Sequence, residues 1–279
     1  MTTALKRERF VLITGAAGGL GRAFAVECAS RGVDLLLTDL RGEPLELLAE
    51  GLRRAYGVEV RLHACDLTDP AARGSLFERI RAESLRFTML VNVAGVDYEG
   101  LFYEQLVQQI QTIIRLNIEG TLAMTHAILP FRDPRTTFRL INVASLAAFY
   151  PMPVKATYAA SKRFLLDFSL ALREEVRSQD TTVTVLCPAG MPTNPETIHS
   201  IEAQGLAGQI TTRDVGRVAN QTLDAALAGR PVVIPGTINR VMQTLGSLAP
   251  SSVVTGLISS RWNSVRRKRK LEGTLPVSS

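Results

Sequence analysis

The stretch Thr14-Gly15-Ala16-Ala17-Gly18-Gly19-Leu20-Gly21 decides how the rest of this chain is read. It follows the apolar run Phe10 to Ile13 with no spacer and leads into residues 20–31, whose apolar side chains recur at helical spacing. A buried strand that passes through glycines into a helix is a phosphate cradle. Gly15, Gly19 and Gly21 permit a tight turn and a close approach of backbone to an anion, and the helix N-terminus meets the negative charge. A flexible loop shares the composition, so the flanking strand and helix are what make the reading specific.

Outward from that turn, short apolar runs alternate with longer helical patterns. Strands are expected at 10–14, 34–38, 58–64, 88–93, 138–143, 182–187 and 232–234, and helices at 20–31, 44–56, 70–83, 103–128, 158–177 and 212–227. This alternation predicts an α/β fold, a doubly wound parallel sheet of seven strands with helices on both faces. Such sheets bind ligands at the carboxyl ends of their strands, where the strand order reverses. Residues 1–236 are expected to form one dinucleotide-binding and catalytic domain, and residues 237–279 an amphipathic helical extension. In that extension Ile238, Val241, Met242, Leu245 and Leu248 share one helical face, as do Val253, Val254, Leu257, Ile258, Trp262 and Val265 beyond Pro250.

Charge and cysteine usage narrow the function classes. Arg261, Arg266, Arg267, Lys268, Arg269 and Lys270 against Glu272 supply five of the six net positive charges, so the basicity belongs to the tail and the body gives no footprint for nucleic acid. Cys28, Cys65 and Cys187 lie in apolar or strand-like contexts without CxxC spacing, and the charged start of the chain does not read as a signal peptide. A reducing, cytoplasmic setting is the expectation. No apolar run reaches the roughly 18 residues that a spanning helix needs. His63, His126 and His199 are not spaced as a ligand cluster, so no metal is expected.

Two further places carry chemistry. Asp39 closes the second strand eighteen residues after Gly21, where an acid accepts hydrogen bonds from an adenosine ribose and repels a 2′-phosphate. This favours NAD over NADP, with Arg22 and Arg41 as the counter-argument. In Tyr158-Ala159-Ala160-Ser161-Lys162 a tyrosine and a lysine four residues apart share a helix face. A free phenol titrates near 10 and is a poor base at neutral pH, and a neighbouring ammonium is expected to lower that value. Alone, such a pair is an aromatic beside a solvated lysine.

Read together, TGAAGGLG, Asp39 and YAASK make the chain resemble the short-chain dehydrogenase/reductase family over about residues 8 to 236. The resemblance implies a Rossmann fold and hydride transfer between NAD(H) and a carbonyl or secondary alcohol. It assigns Asn117, Ser145, Tyr158 and Lys162 to catalysis. Tyr158 gives or takes the proton, Ser145 bonds the same oxygen, Lys162 lowers the phenol and holds the nicotinamide ribose, and Asn117 holds a water that links Lys162 to solvent. It places the cofactor on Gly15, Gly19, Leu20, Gly21, Asp39, Asp66, Leu67, Asn92, Ala94, Gly95, Tyr158, Lys162, Pro188, Met191 and Thr193. Two positions depart from the family pattern: Val93 replaces the second asparagine of its NNAG motif, and Ala189 stands where a glycine is usual.

The resemblance further implies a substrate lid over residues 194–209, with Ile198, Ile201 and Leu206 as apolar contacts. Val96, Tyr98, Phe149, Tyr150, Met152 and Pro153 would complete the pocket wall, which favours a small lipophilic substrate molecule over a sugar. A homodimer or homotetramer built on the Asn117 and Tyr158 helices is implied as well. For the C-terminal helices two partners stay open, protein packing and peripheral contact with an anionic membrane. The alternative from another class is a non-catalytic NAD(P)-binding regulator or scaffold, which a broken Tyr/Lys pair would suggest; here all four catalytic positions are filled.

Overall fold

The computed structural model describes residues 9–191 and 214–248, together with 252, 255, 256 and 258–260. Seven parallel strands form one sheet: β1 Arg9–Thr14, β2 Asp34–Asp39, β3 Val60–Ala64, β4 Arg86–Asn92, β5 Phe138–Val143, β6 Thr181–Leu186 and β7 Val232–Val233. Their order in space is β3-β2-β1-β4-β5-β6-β7. The direction of winding therefore reverses between β1 and β4, and a crevice opens at the carboxyl ends of these two strands.

Both faces of the sheet are covered, which is why its strands are apolar at successive positions and do not alternate with polar ones. On one face Val11, Ile13, Leu35, Leu37, Val91 and Ile141 pack under α1 Gly19–Ser30, α2 Gly42–Tyr56 and α7 Val215–Leu227. On the other, Phe10, Leu12, Phe87, Leu90 and Leu140 meet α3 Pro70–Ala82 and α5 Thr121–Ile128. Helix α6 Ala156–Glu175 adds Leu165 and Leu166 to a third cluster with Val185 and Cys187. Local chemistry sets the element ends. Asp69 caps α3 through the Ala71 N–H at 2.9 Å with Pro70 in the first turn, and α2 stops at Gly57, whose φ of 65° suits glycine.

The sequence reading needs one correction. The single helix expected over 103–128 is a short 3₁₀ turn Phe102–Glu104, then α4 Val107–Ile113, a π-helical segment Ile114–Gly120 and α5. Apolar periodicity continues through the whole stretch, so the change of hydrogen-bond pattern leaves no trace in it. The widening falls on Asn117, and a π segment of this kind is frequent at functional sites. Beyond β7, α8 Thr237–Leu248 is helical as the spacing of the extension predicts; most of residues 249–279 lie outside the described residues.

The turn after β1 is built on two contacts that no side chain would permit. A Cβ on Gly21 would stand 2.1 Å from the Gly15 carbonyl oxygen, and one on Gly15, at φ 64°, would stand 2.8 Å from the Ala94 backbone. Gly51 in α2 has nothing within 4 Å. We expect Gly21→Ala to cost about 3 kcal/mol in urea unfolding or to abolish folding, and Gly51→Ala to be neutral or to stabilise by up to about 1 kcal/mol. Equal unfolding midpoints for the two variants would show that the turn has room to relax.

Candidate active site

Four segments converge at the crevice: the glycine turn, the exit of β4, the π segment and the N-terminal half of α6. Thr14 ties the first two, because its hydroxyl accepts from the Val93 N–H at 3.1 Å and the Ala94 N–H at 3.2 Å. Val93 enters this bond through its backbone, so its departure from asparagine leaves the turn intact. Asn92 carries a buried chain across the sheet. Its amide donates to Thr125 Oγ1 at 3.0 Å and to Asn142 Oδ1 at 2.9 Å, and Asn142 donates on to Ser169 Oγ at 2.9 Å. This chain fastens α5 to α6 through β4 and β5.

Asn117 is fully buried. Its Oδ1 accepts from the Val96 N–H at 2.9 Å, while Nδ2 donates to the Val96 carbonyl at 3.0 Å and to Ser161 Oγ at 3.1 Å. Ser161 donates to the Tyr158 carbonyl at 2.7 Å. Asn117 is thus tied to the helix that carries Tyr158 and Lys162. The Ser145 hydroxyl accepts from the Ala147 N–H at 3.1 Å, which fixes its direction, and its pull on the Tyr158 phenol lowers that group's pKa. Gly95 faces the same cluster, where a Cβ would come 3.1 Å from Asn117 Oδ1 and 3.2 Å from Lys162 Nζ.

The electrostatics reverse one expectation. Lys162 Nζ lies 5.7 Å from the Tyr158 ring centroid and donates to the Val143 carbonyl at 2.9 Å. Burial pushes the phenol above its ordinary value, aided by the Asp97 carboxylate and opposed by the Ser145 hydrogen bond. Burial likewise lowers the Lys162 ammonium to about 8, with Asp97 and Cys187 opposing. Desolvation of both charged forms therefore outweighs the lysine's pull on the phenol in the protein alone.

The cofactor positions divide by what their polar groups already do. Gly18 precedes α1 without a side-chain cap, so the first turn offers backbone N–H groups to an anion. Asp39 Oδ2 accepts from the Ala17 N–H at 3.0 Å, and Oδ1 from the Arg41 backbone N–H at 3.1 Å and Arg41 Nε at 3.3 Å. A carboxylate with about four acceptor positions keeps one, on Oδ2, for a ribose hydroxyl. Asp66 turns back to bond the Thr68 N–H and hydroxyl at 2.8 and 2.7 Å. Pro188 and Met191 come after β6, with the Pro188 carbonyl accepting from the Leu146 N–H at 2.8 Å; Ala189 and Gly190 complete this exit. Thr193, the lid expected over 194–209 and His199 lie outside the described residues. A glycine-lined cradle, an uncapped helix and an acid at the β2 end fit a nicotinamide dinucleotide.

The family model described as short chain dehydrogenase matches residues 9–200. The chain belongs to the short-chain dehydrogenase family. Among relatives of this short-chain dehydrogenase, a very-long-chain 3-oxoacyl-CoA reductase of Anas platyrhynchos is 33% identical over 185 residues, 64% of this chain and 58% of that protein. A 17-beta-hydroxysteroid dehydrogenase type 3 of Homo sapiens is 31% identical over 189 residues, 66% of this chain and 60% of that one. The match thus spans about three fifths of either relative. A short-chain dehydrogenase of Sphingobium yanoikuyae, solved in complex with NADPH, superposes with a TM-score of 0.73 at 26% identity over 97% of both chains.

Several residues of the site are not marked in the sequence. Ser161 sits inside YAASK and reads there as a spacer, although at three residues from Tyr158 it lies on the same helical face. Arg73, buried in α3, donates to the Leu67 carbonyl at 2.6 Å and to Glu119 at 2.7 Å, and so holds the 66–67 turn against the π segment. Nothing local in the sequence marks it. Asp97 and Lys155 meet across the mouth of the site at 2.5 Å.

The lowered Lys162 gives a pH test of this geometry. A buried lysine with a depressed folded value binds fewer protons than the unfolded chain between about pH 8 and its ordinary 10.5, so stability rises with pH there. Cys28, Cys65 and Cys187, which burial holds as thiols to about 12, 11 and 12, lower stability above pH 9, Cys28 and Cys65 alike in the wild type and in a lysine variant, Cys187 with the Lys162 charge as a minor cause. We expect the unfolding free energy of the wild type minus that of Lys162→Met to rise by roughly 2 kcal/mol from pH 8 to pH 10. A flat difference would place the ammonium in solvent.

Proposed function

We propose that this protein is an oxidoreductase that moves a hydride between NAD(H) and the carbonyl or secondary-alcohol carbon of a lipophilic substrate. The observation that carries the reading is the half-buried Tyr158 phenol, whose ring centroid lies 5.7 Å from the buried Lys162 ammonium and whose pKa the Ser145 side chain draws down. The nicotinamide supplies the hydride when bound. In reduction, Tyr158 gives its proton to the developing alkoxide while Ser145 donates a hydrogen bond to the same oxygen; in oxidation both act in reverse. A phenol held protonated by burial suits the donor role directly. Lys162 and Asn117 keep the helix face and the β4 exit in register around that oxygen.

A preference for NAD over NADP rests on Asp39. Its carboxylate stands at the end of β2 bonded to the glycine turn, where a 2′-phosphate would meet its charge. Arg41 is committed to the same carboxylate, which weakens its use as a phosphate partner. The lipophilic substrate is supported by Val96, Tyr98, Tyr150, Met152 and Pro153, half-buried apolar or aromatic side chains in the segments after β4 and β5, while Phe149 packs instead on Leu165 and Leu166 of α6. The names of the two relatives, a long-chain oxoacyl reductase and a hydroxysteroid dehydrogenase, point to the same class. Phe102, Tyr103, Leu106, Val107 and Ile114, exposed beside the Asn117 segment, and Phe164 on α6 support a homo-oligomer formed there.

Three measurements test these readings. On a panel of bulky ketones, Tyr158→Phe should lower kcat/KM by about a hundredfold or more while leaving NADH affinity within about threefold. Full activity of that variant would remove Tyr158 from the reaction. NADH should bind about tenfold more tightly than NADPH, and Asp39→Ala should erase the difference; tighter NADPH binding by the wild type would reverse the cofactor assignment. For the extension, Ile238 and Val241 of α8 stand about half exposed ahead of a basic run, which favours an anionic membrane surface as its partner. Co-sedimentation with phosphatidylserine vesicles at low salt should fall when Arg266, Arg267, Lys268, Arg269 and Lys270 are all replaced by Gln, and no binding by the intact chain would discard the idea.

A further inference from the structure

Arg73 is only 7% exposed on α3, and an arginine leaves water this far only where its charge is paired. Its Nη1 donates to the Leu67 carbonyl at 2.6 Å and its Nη2 to Glu119 Oε1 at 2.7 Å. The first acceptor belongs to the turn after β3. The second belongs to the π segment, forty-six residues from Arg73 in sequence. These two surfaces meet directly at Gly120, where a Cβ would come 3.2 Å from the Leu67 carbonyl oxygen and 3.4 Å from Leu67 Cβ. Leu67 is itself buried, so the turn is a packed wall. Glu119 keeps 49% of its side chain in solvent, so burial of its own side chain does not hold it there. Its place in the contact is set by the guanidinium.

Glu119 follows Asn117 by two residues and closes the π segment together with Gly120. A π turn takes in one residue more than an α turn, so a return of Ile114–Gly120 to α geometry would rotate the residues on one side by about 100° around the helix axis. On the far side α5 is held, since Thr125 accepts from Asn92 of the sheet at 3.0 Å. The rotation would therefore fall on the residues that include Asn117, whose amide bonds Val96 and Ser161. The two-pronged Arg73 contact stands where that rotation would begin. We propose that Arg73 is a positioning residue: by holding Glu119 against the Leu67 turn it keeps the π widening and so aims the Asn117 amide at Val96 and Ser161. The inference rests on the oxidoreductase reading for what Asn117 does in turnover, and on the hydrogen bonds alone for where Asn117 is held.

The test reads the Val96 N–H, whose acceptor is Asn117 Oδ1, by amide hydrogen exchange followed by NMR in the cofactor-free protein. Val185, which donates to the Pro231 carbonyl beside β7, reports the stability of the whole domain. Arg73→Met keeps an apolar stem and removes the guanidinium. In it the exchange of Val96 should speed up about tenfold more than that of Val185. Asn117→Ala should loosen Val96 to the same extent, and the two substitutions together should add nothing, since one acts through the other. Glu119→Gln, which keeps an acceptor for the guanidinium, should leave Val96 within about threefold of the wild type. On the ketone panel Arg73→Met should lower kcat about tenfold and cause no further loss in the Asn117→Ala background. Equal acceleration of Val96 and Val185 overturns the proposal, because a merely structural strap moves both alike. Additive effects in the double variant overturn it too, as does a wild-type kcat in Arg73→Met. If Arg73→Met does not fold, Glu119→Ala takes its place, and a Val96 rate that follows Val185 there is equally fatal. A wild type inactive on every ketone would remove the oxidoreductase reading and leave the exchange result to decide this one, so the two failures are told apart.

Discussion

The amide of Asn117 bonds both the N–H and the carbonyl of Val96 and gives its other proton to Ser161, so one buried side chain joins the β4 exit, the π segment and the catalytic helix. Leaving such groups unpaired in the interior would cost about 1–3 kcal/mol each, so the amide is tied to one orientation. The π-helical widening brings it there. In a regular helix through 103–128 the residues after Ile113 would be rotated differently, and the contacts at Val96 and Ser161 would not be assured. Gly95 answers to the same constraint, because a Cβ there would press on Asn117 Oδ1 at 3.1 Å and Lys162 Nζ at 3.2 Å and displace them by a few tenths of an ångström.

Around that joint, burial governs the chemistry more than pairwise charge. The reading from residues alone treats Lys162 as the group that lowers the Tyr158 phenol. In the folded protein the lysine is buried and bonded to the Val143 carbonyl, and both groups shift toward their neutral forms. A phenol that stays protonated is a proton donor in waiting, and an ammonium near neutrality responds to charges at the entrance.

Much of the fold was legible. Seven apolar runs became seven strands because parallel strands covered on both faces need nearly continuous apolar residues, and the glycine turn showed where β1 hands over to α1. The limits of legibility are as physical. The break in the 103–128 helix is a matter of backbone hydrogen bonding beneath an unbroken apolar stripe. The partners of Asn92, Asn142 and Ser169 are far apart in sequence and meet only when β4, β5 and α6 lie side by side. Ser161 was visible as a residue and invisible as a partner, since its acceptor role depends on Asn117 arriving from another helix.

By itself, the sequence determined the fold class, the phosphate-binding turn and the residues that share a helix face, because glycine geometry, strand burial and helical spacing are local properties of the chain. Family resemblance added Asn117 and Ser145 to Tyr158 and Lys162. The tertiary structure alone decided which polar atoms are paired, which charges lose their water, and that Lys155 pairs with Asp97 beside the Tyr158 ring. These are long-range facts: desolvation and salt-bridge geometry exist only once segments distant in sequence are packed together.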